Sequence, residues 1–468
     1  MGSRSDGKAE TILIAFIKVM ATEVDLLLER VGWLSSWDLS VKMDQFRIPS
    51  EGSFQGPAAG ERSVATRRRR FIAGAYFDGE RHHNSGPYAF VVDQGKIVGI
   101  EAAAVGEAVD YAFLLPSLVD AHVHLFLDGA ELDQVRRKAA MKSGVPLLLE
   151  TALANAKSTW EAGIGLVRDG GDPHGINYAV RSQPQCPLRV RAPGTALRRP
   201  GRYGSFLGPA IAYDQDLVAT VAARCEKADD VKVLLTGVID FDSGTVKGDP
   251  QFDLQAARAI VATAHAHGRP AFAHCNGRAG LAVAIQAGFD SVEHGYLMDE
   301  ESLRAMAGEG VAWTPTLVPV AVQLRLDPAI NGFTPQGVQM LERIVASHAA
   351  SIARAAQLGV PLLCGSDAGG QGVPHGSGLI DEMLLMASVG APMEVVLKAA
   401  TSLPRARWGE PPATIAMGSS FDVLGLPASP FADPGALRHA FRLLPGPSHA
   451  YEPLRVRTHG MGRGCISS

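Results

Sequence analysis

Five times along this 468-residue chain, a polar site with metal-binding or catalytic chemistry stands in or at the end of a short apolar segment of strand length. Residues 113–121 run into His122-Val123-His124. Lys232 lies in the run 231–237, His274 ends 270–274, His294 ends 289–294, and Asp367 ends 360–367. Helical stretches lie among them at 252–267, 278–288, 300–310 and 337–359. Strand, polar residue, helix, repeated in that order, predicts an α/β fold of the (β/α)8 TIM-barrel type. In that fold the functional side chains come from the C-terminal ends of several strands.

His122 and His124 are two apart, so on an extended strand they point to the same face and can reach one metal ion. Alone the pair is a weak signal, because 14 histidines in 468 residues produce such spacings by chance. Its weight comes from the four further candidates downstream.

Together with 163–171, 290–295, 365–369, and 372–376 with Glu382, these residues make the chain resemble the amidohydrolase superfamily. The likeness is to members that hold two metal ions with a carboxylated lysine, in the imidazolonepropionase-like and Xaa-Pro dipeptidase-like branch. It runs from about residue 71 to about residue 435.

The resemblance implies that His122, His124 and Asp367 hold the more buried of two divalent ions, and His274 and His294 the more exposed one. Lys232 would bridge them. An ammonium has donors only, so Lys232 must lose its proton and react with carbon dioxide to give a carbamate with one oxygen for each ion. Burial beside two cations favours that loss. The residues themselves also admit a lysine snorkelling from a strand end or paired to a carboxylate. Zinc is the expected metal, and the same ligands suit manganese, cobalt or iron. Two ions about 3.5–4 Å apart turn a bridging water into hydroxide near neutral pH. In the resembled mechanism that hydroxide attacks a polarised carbonyl, and Asp367 carries its proton to the leaving amine. Asp367 also fits as an N-cap of the helix that follows.

The activity implied is hydrolysis of a C–N bond in a small amide, dipeptide, N-acyl amino acid or cyclic amide. A single-metal deaminase of a nitrogenous ring is an alternative, which the presence of Lys232 disfavours. An ester, lactone or phosphotriester hydrolase would use the same centre, and a non-catalytic binding relative is the least favoured reading.

Specificity is expected in the loop after the third strand, residues 195–206, where Arg199, Arg202 and Tyr203 suggest a pocket for a carboxylate. An exposed basic loop is the plainer alternative. The Gly-Gly-His-Gly-like stretch expected near there is absent. Asn276 stands where relatives often carry a tyrosine, and it can donate to a developing oxyanion. His375, after the last strand, is expected to contact substrate or orient its loop, and His174 is a weaker candidate. Asp169 reads as a structural partner inside the barrel, and His265 and His267 as surface residues.

Residues 71–112 alternate apolar runs with turns and read as the first part of a small β-sandwich. By resemblance its second part returns at 411–435, after a barrel at 113–410. Residues 1–70 form an N-terminal extension, a poorly ordered leader or an interaction arm, with an amphipathic stretch at 11–31. Residues 436–468 are a C-terminal tail. The arginine run 67–70 lacks the apolar core of a signal peptide, and the apolar stretch 11–20 is too short to span a bilayer. A net charge of −4 gives no ground for a nucleic-acid or membrane partner. A small-molecule substrate is expected, and a homo-oligomer is compatible with the sequence. Five scattered cysteines without a CxxC pair fit a reducing, cytoplasmic setting.

Overall fold

The apolar runs that carry the polar residues form parallel strands buried on both faces, the environment that favours continuous hydrophobic sequence over strict alternation. The computed structural model describes residues 68–443. The expectations for most of the N-terminal extension and for the tail from residue 444 lie outside the described residues.

Leu118–Val123, Ile164–Asp169 and Arg189–Arg191 make one parallel sheet. Val231–Leu234, Ala271–Cys275, Ser291–His294 and Ala312–Thr314 make another. Single parallel bridges, Leu197 to Val233 and Val123 to Ala368, join their edges, and Trp313 bridges Leu362. The result is a TIM-barrel-like α/β fold. Its register sets Phe272 beside Lys232 and Cys275 beside His294, which brings the polar residues of different strands to one end.

The helices between the strands fall within a few residues of their expected spans. Leu254–Ala266 buries Ala257, Ile260, Val261 and Ala264, a stripe of helical period facing the strands. It starts at Asp253, whose side chain accepts from the Ala256 N–H. Gly288, Gly310 and Gly359 end three other helices in the left-handed conformation.

One strand departs from expectation. Residues 360–367 form no regular strand, only the bridge at Leu362, with Ala368 bridging just beyond. Asp367 adopts φ 55°, which interrupts a ladder. The Ser366 N–H turns to the Asp120 carboxylate, and the Asp367 N–H to the His122 carbonyl.

The segments flanking the barrel meet in one seven-stranded sheet rather than in two visible layers. Arg69–Phe77 pairs with Tyr88–Asp93 and, in parallel, with Tyr111–Pro116. Val423–Leu426 pairs with Tyr111–Pro116, and Phe441–Leu443 closes the edge. The expected boundary at 112/113 therefore falls inside a strand, and the sheet continues past residue 435. Residues 413–418 are not a strand. Ile415 and Phe421 instead pack with Phe90, Tyr76 and Leu114 on the sheet face, so an irregular segment covers it. Among the described residues, no helix is long and apolar enough to cross a membrane.

Candidate metal centre

Asp120, His122 and His124 share one side of the first barrel strand by their period of two. Ligand atoms of His122, His124 and Asp367 lie within 4.8 Å of one another. His124 Nε2 is 3.3 Å and His122 Nε2 3.7 Å from Asp367 Oδ1. Lys232 Nζ stands 3.5 Å from His122 Nε2 and 4.7 Å from the centre of the Phe272 ring. The His294 ring is centred 5.0 Å from that of His122 and 4.6 Å from that of His274. The six residues expected to hold metal thus gather at one end of the strands.

The electrostatics suit cation binding. Burial, then the Lys232 charge, pushes the His122 imidazolium down to about 4 and that of His274 to about 3. Burial also drives His294 well below the usual range, aided by its histidine neighbours. These rings are neutral at physiological pH and present lone pairs. Burial lowers the Lys232 ammonium to about 8. Burial alone would raise the Asp367 carboxyl, but the hydrogen bond to His124 and the electrostatic pull of its neighbours, Lys232 among them, outweigh it and leave it below the ordinary value. Metal ligands must be deprotonated, and this pocket favours that state in His122, His274, His294, Lys232 and Asp367. A donor set of imidazole nitrogens and a carboxylate, with His124 Nδ1 buried and unpartnered, fits a divalent ion.

Backbone strain accompanies the cluster. His294 (φ 67°), Thr316 (φ 47°) and Asp367 (φ 55°) are left-handed without being glycine, which costs on the order of 1–3 kcal/mol each. Surrounding bonds hold the conformations. Trp313 Nε1 donates to the His294 carbonyl at 2.8 Å, and the Tyr296 hydroxyl to the Thr316 carbonyl at 2.7 Å. Gly170 has no room for a side chain, since a Cβ there would lie 2.3 Å from His124 Cε1. Gly170→Ala is therefore expected to turn His124 away and weaken metal binding at least tenfold while the chain stays folded. Competition against a chromophoric chelator measures this, and unchanged affinity would refute the steric argument.

The loop residues behave differently from the carboxylate pocket expected of them. Arg199 donates to the Ala212 carbonyl at 2.9 Å and lies over the rings of Tyr213 and Phe252. Arg202 donates to the Asp249 carbonyl. Arg199 braces its own segment and Arg202 ties it to the loop at Asp249, so backbone carbonyls rather than a carboxylate accept from their Nη groups. Tyr203 does reach the cluster, its ring 5.0 Å from that of His274. Burial, reinforced by Asp367, keeps its phenol protonated. Asn276 Nδ2 lies 3.4 Å from His274 Nε2 and from the Gly237 carbonyl. His375 is buried with Nε2 3.1 Å from the Leu127 carbonyl, so it ties its loop to the one after the first strand. His174 is exposed. Asp169 accepts from the N–H groups of Leu125 and Gly171, as a structural partner should, while His265 pairs with Asp290 at the surface.

Sequence reasoning gave no role to the groups that hold the rings. Glu293 meets His122 Nδ1 at 2.7 Å, and Thr316 Oγ1 meets His294 Nδ1 at 2.8 Å. Glu382 accepts from the N–H groups of Leu317 and Val318, fixing the turn that carries Thr316. The available signal was charge inside buried segments. Arg168 and Glu293 each sit within a short apolar strand, and a buried charge requires a partner.

Comparison with known proteins agrees with this geometry. An uncharacterized protein of Mycobacterium tuberculosis is 28% identical over 353 residues, covering 75% of this chain and 88% of that protein. Ochratoxinase of Aspergillus niger is 26% identical over 257 residues, 52% of each chain. Among solved structures, a Xaa-Pro dipeptidase with methionine bound in its active site superposes with a TM-score of 0.65 at 24% identity. That match covers 80% of this chain and 97% of the other. The A. niger ochratoxinase structure gives 0.63 at 21% identity, covering 79% and 92%. The family model described as "Amidohydrolase family" matches residues 113–406, more than half of the chain. The strands, the gathered histidines and these matches lead to one conclusion: the chain belongs to the amidohydrolase family.

Proposed function

We propose that this protein is a metal-dependent hydrolase of C–N bonds in small molecules, such as dipeptides, N-acyl amino acids or cyclic amides. The observation that carries the reading is the convergence of neutral imidazoles, Asp367 and a buried lysine amine at one end of the strands. His122, His124 and Asp367 would hold one divalent ion, and His274 and His294 a second, with zinc as the expected metal. We read the joined parallel sheets as a (β/α)8 barrel, and the seven-stranded sheet as the family's smaller β domain.

Lys232 is suited to bridging. Among the described residues no carboxylate is within ion-pair distance of its Nζ, so the paired-lysine alternative lacks support. Once deprotonated, the amine adds to carbon dioxide and releases one proton, giving a carbamate with two oxygen donors. Bound there, divalent ions supply Lewis acidity and water acidified to near-neutral pKa. Asp367 provides the proton path, since its carboxylate is ionised, lies at the cluster and can pass a proton to the leaving nitrogen. The protonated Tyr203 hydroxyl and the Asn276 amide flank His274 and can donate to the substrate carbonyl oxygen.

The test is a substrate panel of dipeptides, N-acyl amino acids and cyclic amides, with esters, lactones and ring amines beside them. Amide cleavage that a chelator abolishes and zinc restores is expected. Ammonia release from ring amines with no amide cleavage would overturn the reading in favour of a deaminase.

A further inference from the structure

Glu293 is fully buried, and both of its oxygens are occupied by donors. Oε1 accepts from Arg168 Nη2 at 2.6 Å and from the Ser291 hydroxyl at 2.7 Å. Oε2 faces His122 Nδ1 at 2.7 Å. Arg168 has little freedom to leave. Its Nε donates to the Ala121 carbonyl at 3.0 Å, and its guanidinium lies 4.1 Å from the centre of the Phe272 ring and 4.8 Å from that of Trp408. We propose that Glu293, held by Arg168 and Ser291, is a positioning residue that fixes His122 as its Nδ1–H tautomer and so aims the Nε2 lone pair into the metal cluster.

The argument is one of donors and acceptors. A carboxylate only accepts, so the ring nitrogen facing it must carry the hydrogen, and the lone pair falls to Nε2. Nε2 is the atom that points toward Asp367 and Lys232. The proposal rests on the reading of His122 as a metal ligand and goes beyond it by naming what sets the ring's state. A purely structural Arg168–Glu293 ion pair would need no third partner at the site.

Glu293→Gln separates these roles. With Arg168 and Ser291 both donating to one side, the amide oxygen must face them and the NH2 must face His122. Nδ1 then becomes an acceptor, Nε2 takes the hydrogen, and the ligand lone pair is lost. Partners of this kind typically change metal affinity about 10–100-fold.

The experiment is zinc competition against a chromophoric chelator on the full-length protein, its Glu293→Gln variant and a His122→Ala variant. It is paired with long-range 1H–15N spectra of the zinc-loaded parent, the His122 signals being assigned by their loss in His122→Ala. Expected are a 10–100-fold weaker affinity in Glu293→Gln, a larger loss in His122→Ala, and a hydrogen-bonded Nδ1–H on His122 in the parent. Unchanged affinity in a folded Glu293→Gln would overturn the positioning role while leaving the metal reading intact. Unchanged affinity in His122→Ala would overturn both. Should Glu293→Gln fail to fold, the parent spectrum decides alone, and an Nε2–H tautomer of His122 would refute the proposal.

Discussion

Lys232→Ala is expected to yield a folded protein that loses at least one metal ion and about 10²–10³-fold or more in turnover. The lysine is 1% exposed, so its amine is held away from water, and among the described residues no neutralising carboxylate is in contact. A structural lysine in such a place is costly, and removing it should do the fold little harm beyond the cavity it leaves. The loss should therefore appear at the site rather than in the melting curve. Calorimetric zinc titration beside turnover on the best amide substrate reads both effects. Full zinc binding with turnover within a few-fold of the parent would remove Lys232 from the centre.

Asp367→Asn should separate proton transfer from binding. Asparagine tolerates the left-handed backbone at this position and keeps the side-chain shape, so the turn at φ 55° survives. It cannot take up a proton. The expected result is a kcat lower by about 10²–10⁴-fold with KM changed only a few-fold. A kcat within tenfold of the parent, with metal still bound, would show that another group moves the proton.

What the sequence revealed and what it hid have physical reasons. The gathering of these polar side chains was legible because buried strands are short, apolar and bounded by glycine, so a histidine or lysine at their ends stands out. The helices were legible through their apolar period and their glycine ends. The segment 360–367 was misread because it is apolar enough for a strand, whereas the left-handed Asp367 and the pull of Asp120 on Ser366 keep it irregular. The role of Glu293 was hidden because two of its three partners, His122 and Arg168, come from other strands, and pairing across strands leaves no local trace. The loop arginines misled for the opposite reason. Their charge is visible in the sequence, but the carbonyls that accept from them, those of Ala212 and Asp249, are brought there by the tertiary fold. Sequence shows which groups a site has, while the tertiary fold decides which of them remain free.

Metal content per chain tests the central claim most directly. The full-length protein, purified with bicarbonate and without chelator, would be measured by elemental analysis. Two equivalents of a divalent metal are predicted by the cluster of His122, His124, Lys232, His274, His294 and Asp367. One equivalent, or none, would contradict a bridged two-metal centre.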